Sequence, residues 1–296
     1  MRLFPWRRFL ILLGLGLVLA YLLLLGSLSF LYTYALLHPG CPAQGSPPEG
    51  FVAVRLTTAD GLALDGWWKA PQNGAVILLM GGLGAGRDAL LPEAALLAQH
   101  GYGALTLDSR ACAGELSTLG QRETAEFDAM LNFALAQPGV TWVGALGFSV
   151  GGTAVINGAA ARPEVRAVVA EGNFANLYEE FTAVKAPAYH PQWQVQRAVA
   201  FCYALLTGIW PGQVSPVDAL TQVSPRPVLL VHGEEEIGRT QAHRQLAAAG
   251  PNARLWIVPG ARHGGYRAAD PQAYAERIVG FFDEARRPTV QPVLMR

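Results

Sequence analysis

Ser149 stands in Gly147-Phe148-Ser149-Val150-Gly151, a serine set between two glycines. A serine hydroxyl is a poor nucleophile at neutral pH. Acyl transfer through it needs a base to take its proton and a carboxylate to hold that base. Of the six histidines, His263 in Pro259-Gly260-Ala261-Arg262-His263-Gly264 lies in a glycine-flanked loop after the last predicted strand. His38 falls in a proline-rich connector, His100 at a helix end, His190 in a helical insertion and His243 in mid-helix. His232, at the end of a strand, is the second candidate. The run His232-Gly233-Glu234-Glu235-Glu236 follows a strand and offers three carboxylates, of which one needs to act.

The oxygen that becomes negative during acyl transfer requires N–H donors aimed at it. Val150, directly after the serine and first in the following helix, supplies one backbone amide. A second is expected from the loop Gly81-Gly82-Leu83-Gly84-Ala85-Gly86, with Leu83 as its best donor. A glycine loop can also cradle phosphate, but no Gly-Lys-Ser/Thr ending follows it. No G-x-G-x-x-G with a distal acid is assembled either. The chemistry calls for no cofactor and no metal.

These residues need a frame that brings 114 positions of chain together at one edge. From Phe51 onward strand-like and helix-like segments alternate, the pattern of an α/β fold with a mostly parallel sheet. Phe51–Thr57 and Leu62–Lys69 flank Asp60-Gly61 and should form an antiparallel hairpin. Ala75–Met80, Gly103–Leu107, Thr141–Leu146, Val165–Ala170, Pro227–His232 and Arg254–Val258 read as strands. Leu90–His100, Glu123–Gln137 and Val150–Ala161 read as helices, and Tyr274, Ile278, Phe281 and Phe282 stripe a closing one. Ser149 then falls directly between a strand and a helix. Residues 173–225 break the alternation and are expected to form a small helical cap.

Half of the chain is hydrophobic and only 15% is charged, and the apolar excess is concentrated at the start. Phe9 to Leu37 carries no formal charge, more than the roughly 20 residues that span a bilayer as a helix. Arg2, Arg7 and Arg8 precede it, so the N-terminus is expected in the cytoplasm and the rest outside. The run is too long for a signal-peptide core and too apolar on every face for a core helix. The expected layout is a cytoplasmic stub and signal anchor over residues 1–37, a Pro/Gly linker over 38–50, and a catalytic domain over 51–287. A tail follows over 288–296. Acidic and basic residues balance at 22 each, which gives nucleic acid no footprint. Cys41, Cys112 and Cys202 lack ligand or redox spacing, so a disulfide framework or zinc site is not expected; each reads as a small buried hydrophobe. Oligomeric state has no signature.

With these pieces placed, the chain resembles the α/β-hydrolase superfamily from about Val54 to Ala285, most closely its membrane-anchored BEM46-like and serine aminopeptidase-like branches. Gly81-Gly82-Leu83-Gly84 is similar to the family's His-Gly-x-Gly loop, with glycine in the histidine position. Asp108-Ser109-Arg110-Ala111-Cys112-Ala113 resembles its Asp-x-Arg-Gly-x-Gly segment, with alanine for both glycines. The resemblance puts Ser149 on the nucleophile, Glu236 on the acid position of His-Gly-x-x-Asp, and His263 on the base. It implies an α/β-hydrolase fold and hydrolysis of a small or lipid-like carboxylic ester through an acyl-serine. An acyltransferase, an amidase or peptidase with the same triad, and a membrane-tethered binding protein with a decayed site are the competing expectations.

Overall fold

The computed structural model describes residues 6–287. Arg2 and the tail 288–296 lie outside the described residues. The first element, α1 (Trp6–Leu37), is one unbroken helix that is long and apolar enough to cross a membrane, and its first turns are exposed. Only Ser29, Thr33 and Leu37, one stripe at helical spacing, are buried against the rest of the protein.

An eight-stranded sheet organises the remainder, in the spatial order β1-β2-β4-β3-β5-β6-β7-β8. β1 (Val52–Thr57) and β2 (Ala63–Lys69) pair antiparallel around the Asp60-Gly61 turn, as the turn dipeptide predicts. β2 pairs antiparallel with β4 (Gly103–Leu107), and β4 lies parallel to β3 (Ala75–Met80). The series continues, all parallel, through β5 (Trp142–Phe148), β6 (Val165–Glu171), β7 (Val228–Gly233) and β8 (Ala253–Val258). Every residue of β3 is buried, which explains why its sequence is an uninterrupted apolar run: helices cover both faces.

On one face α2 (Leu91–Gln99) and α11 (Pro271–Arg286) pack through Leu97, Tyr274, Ile278 and Phe282. On the other, α3 (Thr124–Leu135) and α4 (Val150–Ala161) bury Phe127, Met130, Leu131, Val155 and Ile156. The insertion after β6 divides in two. α5 (Leu177–Phe181) and α6 (Pro191–Thr207) form a separate cluster with Leu37 and Val150. α7 (Pro216–Val223) instead sends Leu220 and Val223 into the main core beside α4, making it a sheet-layer helix rather than a covering one. After β7 come the short α8 (Ile237–Thr240) and α9 (Ala242–Ala249); after β8 comes α10 (Tyr266–Ala269).

Residues 38–50 carry no regular structure but are not a loose tether. Leu37 O accepts from Ser117 N (2.8 Å), and Gln44 Oε1 accepts from Asp88 N (3.2 Å). Cys41 and Cys112 form a disulfide, which corrects the expectation that all three thiols are isolated hydrophobes. The two are 71 residues apart in sequence, and only the folding of the strap back across the glycine loop brings them together. Cys202 is free and buried, as expected. Closing a loop of that length stabilises the fold by roughly 4 kcal/mol in a chain-entropy estimate. Beside the disulfide, buried Arg110 places Nε and Nη2 on the two Glu126 carboxylate oxygens (both 2.9 Å) and Nη2 on Asp60 (3.1 Å). That arginine ties the hairpin turn to α3.

Candidate active site

Ser149 occupies the single residue between the end of β5 and the start of α4. Its φ is +54°, a left-handed conformation that a non-glycine residue adopts only under constraint. The constraint is packing. A Cβ on Gly147 would fall 2.2 Å from the Gly151 carbonyl oxygen, and one on Gly151 would fall 2.1 Å from Met80 O. Both glycines are therefore needed to seat α4 close behind the strand. Ser149 N donates to Glu171 O at 2.7 Å, fixing the turn to the neighbouring β6.

His263 lies in the loop between β8 and α10, and its Nε2 is 3.0 Å from Ser149 Oγ. Its Nδ1 is 2.7 Å from Glu236 Oε2. A carboxylate accepts, so Nδ1 carries the proton and Nε2 is left to accept from the serine. Phe148 packs its ring 4.8 Å from the imidazole, centroid to centroid. The three residues of the sequence-derived set are thus brought into one hydrogen-bonded line.

The three glutamates separate cleanly. Glu234 accepts from Gly260 N (2.9 Å), and Glu235 pairs with Arg262 (3.0 Å) at the exposed rim. Glu236 alone reaches His263, and its other oxygen accepts from Gly233 N (2.8 Å) and from the Tyr266 hydroxyl. Burial pushes the Glu236 carboxyl up. The hydrogen bonds from His263, Tyr266 and the Gly233 amide outweigh burial and hold it below the ordinary glutamate value. Tyr266, in turn, is held protonated by burial and by the carboxylate it serves. His232 is fully buried, with neither ring nitrogen bonded to any described residue. Burial lowers its pKa to about 4, so it is a weak base, and it is His263 that meets the Ser149 hydroxyl.

The glycine loop follows β3 and abuts the serine: a Cβ on Gly82 would lie 3.5 Å from Ser149 Cβ. Leu83 packs in the cluster that also contains Val150 and Leu37. Val150 opens α4, where first-turn amides have no partner inside the helix and the helix dipole favours negative charge. A cleft of about 450 Å³ opens on Ser149 and His263, lined also by Phe174, Glu180 and Arg262.

Sequence reasoning did not find Tyr266, and nothing in a single sequence marks a tyrosine three residues past the base as a partner of the acid. It also missed Glu171. That residue is buried at the end of β6 and accepts from the Tyr274 hydroxyl (2.7 Å). Burial, reinforced by nearby Glu93, raises its pKa to about 8.

Residues 75–215 match the family described as alpha/beta hydrolase fold. Among solved structures, the Pyrococcus furiosus esterase Pf2001 superposes with a TM-score of 0.67 at 21% identity, over 84% of this chain and 98% of that one. The Pyrococcus horikoshii acylaminoacyl peptidase superposes with a TM-score of 0.60 at 17% identity, over 80% of this chain and 42% of that one. The uncharacterized protein PA2218 of Pseudomonas aeruginosa is 42% identical over 65 residues, only 22% of this chain and 18% of that protein. Its crystal structure superposes with a TM-score of 0.59 at 20% identity, over 81% of this chain and 96% of that one. The chain has the α/β-hydrolase fold. These matches reach the fold and go no further.

Proposed function

We propose that the protein is a serine hydrolase of carboxylic esters. The observation that carries this reading is the continuous line from Ser149 Oγ through His263 to Glu236, at 3.0 and 2.7 Å. Ser149 Oγ attacks the ester carbonyl carbon while His263 Nε2 takes its proton. Glu236 holds the tautomer and stabilises the imidazolium. The Leu83 and Val150 amides stabilise the oxyanion of the tetrahedral intermediate. Collapse expels the alcohol, protonated by His263, and leaves an acyl-serine. Water, deprotonated by the same histidine, then releases the acid. A charged Glu236 hydrogen-bonded to His263, which in turn meets Ser149, favours an enzyme over a decayed binding protein. Amide substrates use the same steps, and the fold shared with an acylaminoacyl peptidase keeps that second reading in view.

The test is turnover of short p-nitrophenyl esters. Ser149→Ala is expected to lose roughly 10⁶-fold in kcat. Full turnover in that variant, where wild type is active, would remove the proposal.

The proposed location is a membrane surface, with α1 as the anchor and the catalytic domain on the extracytoplasmic side. Arg7 and Arg8 before the apolar run support this orientation. So does the Cys41–Cys112 disulfide, since such bonds persist in oxidising compartments.

A further inference from the structure

α1 is longer than a bilayer requires. Its 32 residues extend about 48 Å at 1.5 Å per residue, against about 30 Å of hydrocarbon. The surplus does not stand alone in solvent. The Tyr21 hydroxyl donates to Gln194 Oε1 in the first turn of α6. From there the two helices run side by side to Leu37 and Tyr203, which share one buried cluster. That end is pinned to the domain: Tyr203 donates to Thr118 O (2.7 Å), and Leu37 O accepts from Ser117 N. α1 and α6 therefore move as one unit with the catalytic domain.

The outward face of this pair is apolar along its length. Leu28, Leu31 and Tyr32 of α1 are each more than half exposed, and on α6 Phe201 and Leu205 are 64% and 66% exposed. Val195 of α6 and Trp210 just beyond it are also exposed. The opposite side of α6, with Val199, Ala200 and Tyr203, is buried. From Phe181 to Val217 the chain has no acidic residue but carries Lys185 and Arg197. The Arg197 guanidinium stacks 3.7 Å from the Trp193 ring, and Tyr189 is almost wholly exposed. An apolar stripe flanked by cations and tryptophan or tyrosine, with no acid, is the composition of a helix lying at a lipid–water boundary. A membrane helix with surplus apolar length tilts, and a tilt towards α6 covers both apolar faces together.

We infer that the outer face of α6 is a second membrane contact, resting on the leaflet from which α1 emerges, with Lys185 and Arg197 facing anionic lipid headgroups. The inference depends on the reading of α1 as a membrane span. Because α5 carries Glu180 of the cleft wall and packs on α6 through Phe181 and Tyr203, the Ser149 cleft is then held beside the lipid surface. Ester-bearing lipids of that leaflet become the natural substrate class of the proposed hydrolase.

The full chain reconstituted in phosphatidylcholine/phosphatidylglycerol vesicles tests this. Leu205→Cys, Leu17→Cys in α1 and Ala136→Cys at the opposite end of the sheet would each carry an environment-sensitive fluorophore. Native Cys202 is buried and the other two cysteines are paired. Labels at positions 205 and 17 are expected to be blue-shifted and quenched by nitroxide lipids, and the label at 136 to be neither. A water-exposed label at 205 with a lipid-embedded label at 17 overturns the cap contact and leaves the anchor standing. Water exposure at both positions overturns the anchor as well.

Discussion

Two glutamates at the ends of adjacent strands, Glu171 on β6 and Glu236 just past β7, are both shielded from solvent, yet they are held in opposite states. Glu236 accepts from His263, Tyr266 and the Gly233 amide, and stays charged. Glu171 accepts from Tyr274 and has Glu93 for a neighbour, and its pKa rises to about 8. Burial acts upward on both carboxyls; the number of donors decides which one ionises. The charged one faces the histidine, and the neutral one is buried against Tyr274, its backbone carbonyl holding the Ser149 amide.

Removing the charge at Glu236 should have the largest effect. Glu236→Gln is expected to cost about 10⁴-fold in kcat/KM on a short ester, because the amide no longer selects the productive histidine tautomer. A loss below tenfold would mean that another group holds His263. Tyr266→Phe removes one donor and keeps the ring. It should lower kcat/KM by about 10-fold, the worth of one hydrogen bond to a charged group. It should also move the acid limb of the pH–rate profile upward, and an unchanged limb would show that Tyr266 only packs.

The smallest effect, and the sharpest contrast, is expected at Glu171. Between the ordinary glutamate range and about pH 8, the unfolded chain releases a proton that the folded chain keeps. Stability therefore falls as pH rises through that window and is level above it. Glu171→Gln removes the titration. Its Tm should match wild type near pH 4 and exceed it by about 2 °C or more at pH 8, with ester turnover little changed. A Tm difference independent of pH would show that Glu171 is not held neutral. For Glu236 the sign is reversed: its stabilising contribution is present above the unfolded glutamate value and is lost as pH falls through the lowered native one.

The sequence made much of this readable because the relevant signals are local. The glycines at 147 and 151 mark a turn that only tight packing explains, and the apolar runs of β3 and β5 mark buried parallel strands. The acid was less legible: Glu234, Glu235 and Glu236 are chemically equivalent in a string, and only loop geometry separates a backbone cap, a rim ion pair and a histidine partner. Tyr266, the Cys41–Cys112 disulfide and the Arg110–Glu126 pair all depend on long-range contacts that no periodicity reports. The insertion misled for a related reason. Its proline- and aromatic-rich composition reads as one cap, yet the spacing of Val217, Leu220 and Val223 packs α7 into the sheet layer.

The central claim is that His263 and Glu236 activate Ser149. Labelling the full chain with a fluorophosphonate probe and locating the adduct by peptide mass spectrometry tests it most directly. The expected result is a single adduct on Ser149, abolished by His263→Ala. No adduct on the folded wild-type protein, or an adduct on a different serine, would contradict it.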